Sequence, residues 1–351
     1  MSNPSVVLRK IHDIGFENRP VPEIKDPHFV KIAIKCTGIC GSDYHYYETG
    51  SCGSFVVKEP MVLGHESAGV VVEIGDAVEH LKVGDRVACE PGVPSRYSQE
   101  YKSGHYNLCP HMAFAATPPY DGTLCKYYLL PEDFLVKLPD HVSLEEGALA
   151  EPLSVGVHSN KQIGTKFGDR ILVIGAGPVG LLAAGVARAF GATKVLILDI
   201  SQTRLAFALE HNYATHAYNT KGKSESDVLA YIKKHWNGEL PTGAIEATGV
   251  PACIAMAINL LDKGGRYVQV GMGPSAVDGF PIAKVGENEI TVFGSFRYCV
   301  DDYKTSIALI ADKKINVKPF VTHRFTFKQA IDAYKFFGEG KAIKIMIAGP
   351  E

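Results

Sequence analysis

Residues 29–38, FVKIAIKCTG, alternate apolar and polar side chains with a period of two, the pattern of a strand with one buried face. The runs SAGVVVEIG (67–75) and GDRVACEP (84–91) follow, set off by Gly-Asp turn signals. The first 150 residues therefore predict an irregular β domain. Between 145 and 164, EEGALAEPLSVGVHSNKQIG reads as helix. From residue 170 the pattern changes: RILVIGAG, a strand, precedes PVGLLAAGVARAFG, a helix, then KVLILDI, a strand, and TRLAFALEHN, a helix. GAIEATG, PACIAMAINLL, GRYVQVGM and EITVFGSF continue the alternation. Strand–helix alternation predicts an α/β class with a doubly wound parallel sheet covered on both faces. The tail from about 295 returns to mixed character and ends in AIKIMIAG, a strand; with little apolar surface of its own, it is expected to rejoin the first domain. The expected domains are 1–157, 158–294 and a returning segment 295–351.

One stretch breaks its own pattern. In PMVLGHESAGVVVEIGD (60–76), His65 and Glu66 stand side by side inside an apolar run. Neighbours on a regular strand point to opposite faces. Either one of the pair faces water, or Gly64 bends the backbone and both serve one site.

Composition is that of an ordinary globular chain: 351 residues, 46% hydrophobic, 21% charged, with 36 basic and 38 acidic side chains for a net charge of −2. That balance argues against nucleic-acid and anionic-membrane partners, which call for a basic excess. The eight cysteines are scattered, unlike a disulfide scaffold, and indicate a reducing, cytoplasmic compartment. The run ILVIGAGPVGLLAAGVA (171–187) is apolar enough to suggest a membrane span, but four glycines, a proline and the adjacent Arg188 argue against it.

Gly175-Ala176-Gly177-Pro178-Val179-Gly180 is G-x-G-x-x-G between a predicted strand and a helix, with Asp199 ending the next strand. Gly175 allows a tight turn, Gly177 a close approach of pyrophosphate, and Gly180 close helix–strand packing. The helix N-terminus offers free N–H groups to phosphate. Asp199 can accept from both ribose hydroxyls and repel a 2′-phosphate, which favours NAD over NADP. Arg204 nearby could hold a phosphate instead; it is assigned to the adenine. In the first half, Cys40, His65 and Glu66 offer a thiolate, an imidazole and a carboxylate, a donor set suited to zinc. Plain packing is the competing reading for each.

The blocks TGICGSDYHYYETG (37–50), GHE, EPLSVG (151–156), RYSQEYKSGHYNLCPHMAFAATPPYDGTLCKYY (96–128) and GSFRYC (294–299) resemble the zinc-dependent medium-chain dehydrogenases, polyol branch, over nearly the whole chain. The resemblance implies a GroES-like β catalytic domain, a Rossmann coenzyme domain and a homotetramer or dimer. It implies oxidation of a polyol secondary hydroxyl to a ketose with NAD, on xylitol, D-sorbitol or L-arabinitol. It makes Cys40, His65 and Glu66 direct zinc ligands, with Glu151 reaching the metal directly or through water, and puts Asp43 behind the His65 imidazole. Proton removal falls to Glu151 with Ser42 close by; the spacing Cys40-x-Ser42-x-x-His45 also matches a hydroxyl–imidazole relay. Tyr46, Glu151, Arg297 and Tyr298 would contact the polyol, with Phe114 and Thr117 lining its pocket. Val270, Gly271, Met272, Ser295, Phe296 and Arg297 would border the nicotinamide, with Val179 behind the ring. Cousins hold a second, structural zinc on four cysteines; the matching positions here are Ser95, Ser98, Tyr101 and Cys109, so none is expected. Two other readings are a zinc-free reductase and a non-catalytic NAD-binding protein on the same fold. Cys52 has no assigned role.

Overall fold

The computed structural model describes residues 2–351, and the chain divides into two compact units. One comprises the chain through Glu151 with Cys299–Asp312 and Val317–Glu351; the other comprises Pro152–Tyr298 with Lys313–Asn316.

The first unit is built on a seven-stranded sheet whose axis is Phe29–Gly38. That strand pairs antiparallel with Glu66–Ile74, with Tyr127–Pro131 and with Lys344–Ala348. The register sets Gly38 opposite both Glu66 and Met346, so the last strand of the chain lies two strands from Glu66, across Phe29–Gly38. Apolar positions Val30, Ile32 and Ile34 face Val71, Val87 and Leu130 in one core cluster. A second cluster joins Val6 to Leu8, Met61 to Leu63, Tyr334, Ile345 and Ile347. Its N-terminal part is a hairpin, Asn3–Lys10 with Asp13–Arg19, that the charged N-terminal sequence did not announce.

The second unit holds six parallel strands in the order His216–Asn219, Lys194–Asp199, Arg170–Ile174, Gly243–Glu246, Arg266–Gln269, Thr291–Gly294. In order along the chain this is 3-2-1-4-5-6, the Rossmann arrangement, with its switch point between the first and fourth strands. The apolar run 171–187 is the end of one strand and the helix Pro178–Ala189, in which every residue from Gly180 to Ala187 is buried. A helix apolar on all sides belongs inside a protein or a membrane; this one packs on the sheet, and among the described residues no helix is long and apolar enough to cross a membrane. The strand His216–Asn219 and helix Glu225–His235 complete the alternation where the sequence pattern is weak. The helix predicted over 145–164 is two, Leu144–Ala148 and Ala150–Gln162. The first carries a capping box in which Ser143 and Glu146 satisfy each other's end of the turn.

Candidate metal centre and coenzyme site

Gly64 resolves the His65–Glu66 adjacency. Its φ of 89° falls in the left-handed region, where a glycine meets no Cβ penalty. The strand begins only at Glu66, so His65 is outside the regular pleat and need not point away from its neighbour. Cys40, at the N-cap of the helix Gly41–Thr49, joins them: a sulfur, an imidazole nitrogen and a carboxylate oxygen lie within 4.8 Å of one another. His65 and Glu66 are buried.

Asp43 holds this corner together. It is fully buried; one oxygen accepts from Cys40 N (3.3 Å), the other from Gly64 N (3.2 Å), and the latter lies 3.4 Å from His65 Nδ1. Fixing one ring nitrogen aims the other, as metal-ligand imidazoles require. Burial opposes charge on His65, but Asp43 and Cys40 override it and hold the imidazole pKa well above its ordinary value. A cysteine sulfur, an imidazole and a carboxylate brought together, the last two buried, are the donors zinc takes, so the residues fit that ion.

Lys344, absent from the sequence reading, is 3% exposed and donates to both oxygens of Glu66 at 2.6 and 2.7 Å and to Ile39 O at 3.1 Å. Burial alone would lower its pKa; Glu66, Cys40 and, more weakly, Glu151 raise it instead. A lysine on the apolar strand KIMIA was the one available signal. Glu151 stands in the first turn of Ala150–Gln162, 5% exposed and outside the close group of three. After burial, its charge is the leading cause that holds the Tyr303 hydroxyl pKa well above the ordinary value.

Around the corner, Tyr46 (2% exposed), Phe114 and Thr117 are buried, and the His65 and Phe114 rings lie 5.6 Å apart. Burial first, then Cys52, push the Tyr46 hydroxyl up to about 12, while a hydrogen bond with Thr117 pulls it down. Cys52 is thus a buried neighbour of the Tyr46 hydroxyl. Ser42 is half-buried and His45 exposed, one helical turn apart. The four positions matching a structural zinc site make ordinary contacts: Ser98 caps a short helix by accepting from Tyr101 N, and Cys109 Sγ accepts from Ser95 N at 3.4 Å. The Tyr101 hydroxyl accepts from Arg96, which also pairs bidentately with Asp133.

In the second unit Gly175 has φ 103°, and a Cβ on Gly180 would run into Gly175 O, so the turn and the helix–strand approach both need glycine. Nothing lies within 4 Å of a Cβ built on Gly177, which leaves the helix N-terminus open to a ligand. Asp199 accepts from Ala176 N (2.6 Å) and Ser201 N (2.8 Å), which ties the end of the second strand to the glycine-rich loop. Val179 sits in the first turn of Pro178–Ala189, and Arg204 in that of Gln202–Glu210. Val270 and Gly271 are half-buried and Met272 exposed at the end of the fifth strand; Ser295 N donates to Gln269 O. Arg297, at φ 56°, lies over the Phe296 ring at 4.8 Å, and Tyr298 is buried.

Residues 26–140 match the alcohol dehydrogenase GroES-like domain family, and residues 178–312 match the zinc-binding dehydrogenase family. The chain is 55% identical to "Sorbitol dehydrogenase 1" of Saccharomyces cerevisiae, covering 100% of this chain and 99% of that protein. It is 51% identical to the "D-xylulose reductase" of Scheffersomyces stipitis over the same shares. Among solved structures, 2R,3R-butanediol dehydrogenase from Bacillus subtilis is 30% identical with a TM-score of 0.89, over 99% of this chain and 100% of that one.

Proposed function

Because the chain belongs to the zinc-binding alcohol dehydrogenases with a GroES-like domain, we propose that it oxidises a polyol secondary hydroxyl to a ketose with NAD, acting on xylitol, D-sorbitol or both. The observation that carries this reading is the close group of half-buried Cys40 with buried His65 and Glu66, set beside Tyr46 and Thr117. Relatives named for sorbitol and for xylulose supply the substrate class.

Cys40, His65 and Glu66 would hold the zinc, with Glu151 at or near it. Bound there, zinc supplies Lewis acidity that eases loss of a proton from a hydroxyl. Asp43 orients His65, and Lys344 keeps Glu66 in place. Glu151, a buried carboxylate, takes the substrate proton, with Ser42 and His45 the alternative outward path. Tyr46 and Thr117 offer hydroxyls to the polyol, and Phe114 closes the apolar side against water; a pocket that pairs hydroxyls rejects a plain alcohol. Arg297 and Tyr298 would contact the distal hydroxyls. Asp199 would accept from the adenosine ribose, with Gly175, Gly177 and Gly180 admitting the pyrophosphate and Arg204 beside the adenine. Val179, Val270, Gly271, Met272, Ser295 and Phe296 would border the nicotinamide. The catalytic domain is assigned to 1–157 and 295–351, the coenzyme domain to 158–294.

A cytoplasmic homotetramer, or a dimer, completes the proposal. The edge strand Thr291–Gly294, with Val292 43% exposed, leaves backbone groups free to pair with a second copy. The test of the activity is NADH formation from NAD with xylitol, D-sorbitol, L-arabinitol and ethanol in turn. Turnover of polyols with negligible ethanol oxidation is expected, and the ranking names the substrate. NADH binding with no polyol turnover would overturn the substrate class and return the non-catalytic reading.

A further inference from the structure

The fourth strand of the parallel sheet ends in Glu246, a fully buried carboxylate to which the sequence reading gave no role. It accepts from Thr248 N and Gly249 N at 2.8 Å each, from the Thr248 hydroxyl, and from the Gln269 side-chain amide at 2.8 Å. The same amide donates to Gly271 O at 2.6 Å, and the Tyr267 hydroxyl donates to Gln269 Oε1. The backbone carbonyl of Glu246 accepts from Val270 N and Gly271 N, both at 2.9 Å. One residue thus fastens the loop after the fourth strand to the loop after the fifth.

The two loops are in close contact. A Cβ on Gly271 would strike the backbone of Thr248 and Gly249, and one on Gly249 would strike Met272. On the other side, a Cβ on Gly175 would come within 2.8 Å of Thr248 Cγ2, and one on Gly180 within 3.5 Å of the Ala247 Cβ. Residues 247–249 are therefore packed between the glycine-rich loop and the segment Val270–Met272. They stand at the switch point of the sheet, beyond the carboxyl ends of the first and fourth strands, where ligands of such sheets bind.

We propose that Glu246 is a coenzyme-positioning residue, fixing Val270–Met272 against the glycine-rich loop and so setting where the nicotinamide half of the dinucleotide rests. This depends on the coenzyme reading above. Glu246 acts at one remove, through Thr248, Gly249 and Gln269. Its acceptor oxygens face N–H and O–H donors, so an amide of the same shape would oppose a donor to a donor and push one loop off the other.

The experiment is binding of NADH and of ADP-ribose, which lacks the nicotinamide, to the zinc-loaded wild-type protein and to Glu246→Gln. The expected result is a rise in the NADH Kd of about tenfold or more, with the ADP-ribose Kd within about twofold. KM for NAD should rise while bound zinc per chain stays unchanged. Gln269→Ala keeps the carboxylate and removes the tie to Gly271; it should move NADH binding in the same direction, and it carries the test if Glu246→Gln does not fold. Equal weakening of both ligands, or no weakening of either, would overturn the proposal. A wild-type protein that binds neither ligand would overturn the coenzyme reading itself.

Discussion

Lys344 and Glu66 form an ion pair with both side chains almost completely buried, at 4% and 1% exposure. Removing one partner of such a pair leaves an uncompensated charge and typically costs about 3–5 kcal/mol. Lys344→Met should therefore destabilise the metal-free protein by about that amount in urea denaturation. Lys344→Met with Glu66→Gln should recover much of the loss; a single variant as stable as wild type would show that the pair does not matter. Glu151→Gln keeps the shape of the side chain and removes its basicity. It should lower kcat by about 10²–10⁴ with zinc content intact, and unchanged turnover would remove Glu151 from proton transfer. At this scale the sequence was informative where unlike residues were adjacent. His65 and Glu66 interrupted an apolar run, and the glycine before them explained how both could turn one way. Lys344 was illegible, because a lysine near a chain end reads as solvated surface until register sets it across Phe29–Gly38 from Glu66. Glu246 was hidden for the same reason: its partners belong to the next strand and loop.

The strand Phe29–Gly38 has the bounds its alternation marks, and the strand–helix alternation after residue 170 gives the parallel sheet. Alternation was lost where elements are short or pair only with distant segments. The hairpin Asn3–Lys10 and Asp13–Arg19 carries charges on its solvent side, and its buried side packs on Met61–Leu63. The segment 91–110 carries only short elements, and Glu90 anchors it through the Tyr106 hydroxyl. Burial pushes the Glu90 carboxyl up to about 8; Tyr106 pulls it down and Asp302 and Asp133 push it up. The native state then keeps a proton that the unfolded chain gives up near the ordinary carboxylate value of 4.5, so this group's contribution to stability falls as pH rises from about 4.5 to about 8. At ~1.36 kcal/mol per unit the effect is on the order of 5 kcal/mol. Glu90→Gln should flatten that part of the stability–pH curve and be more stable than wild type at about pH 9 in denaturant melts. Parallel curves for the two proteins would contradict the assignment.

For the whole molecule, the fold class was readable from the change of period along the chain, and the family from motifs spread over its length. The return of the chain to its first unit, expected from the tail's small apolar surface, is made by pairing of Lys344–Ala348 with Phe29–Gly38, a partner that no local pattern names. Assembly belongs to this scale as well. Val292→Lys places a charge on the exposed edge strand and should yield a smaller species in sedimentation, with NADH binding per chain unchanged. A wild-type monomer, or a variant that sediments as wild type does, would contradict pairing through that edge. The claim on which the rest depends is one catalytic zinc per chain, held by Cys40, His65 and Glu66. Its most direct measurement strips the protein with a chelator and returns zinc in steps, following bound metal, NADH binding and polyol oxidation together. Stripping should abolish turnover and spare NADH binding, and activity should return in proportion to zinc and saturate near one ion per chain. Activity that survives complete stripping, or that saturates only near two ions per chain, would contradict it.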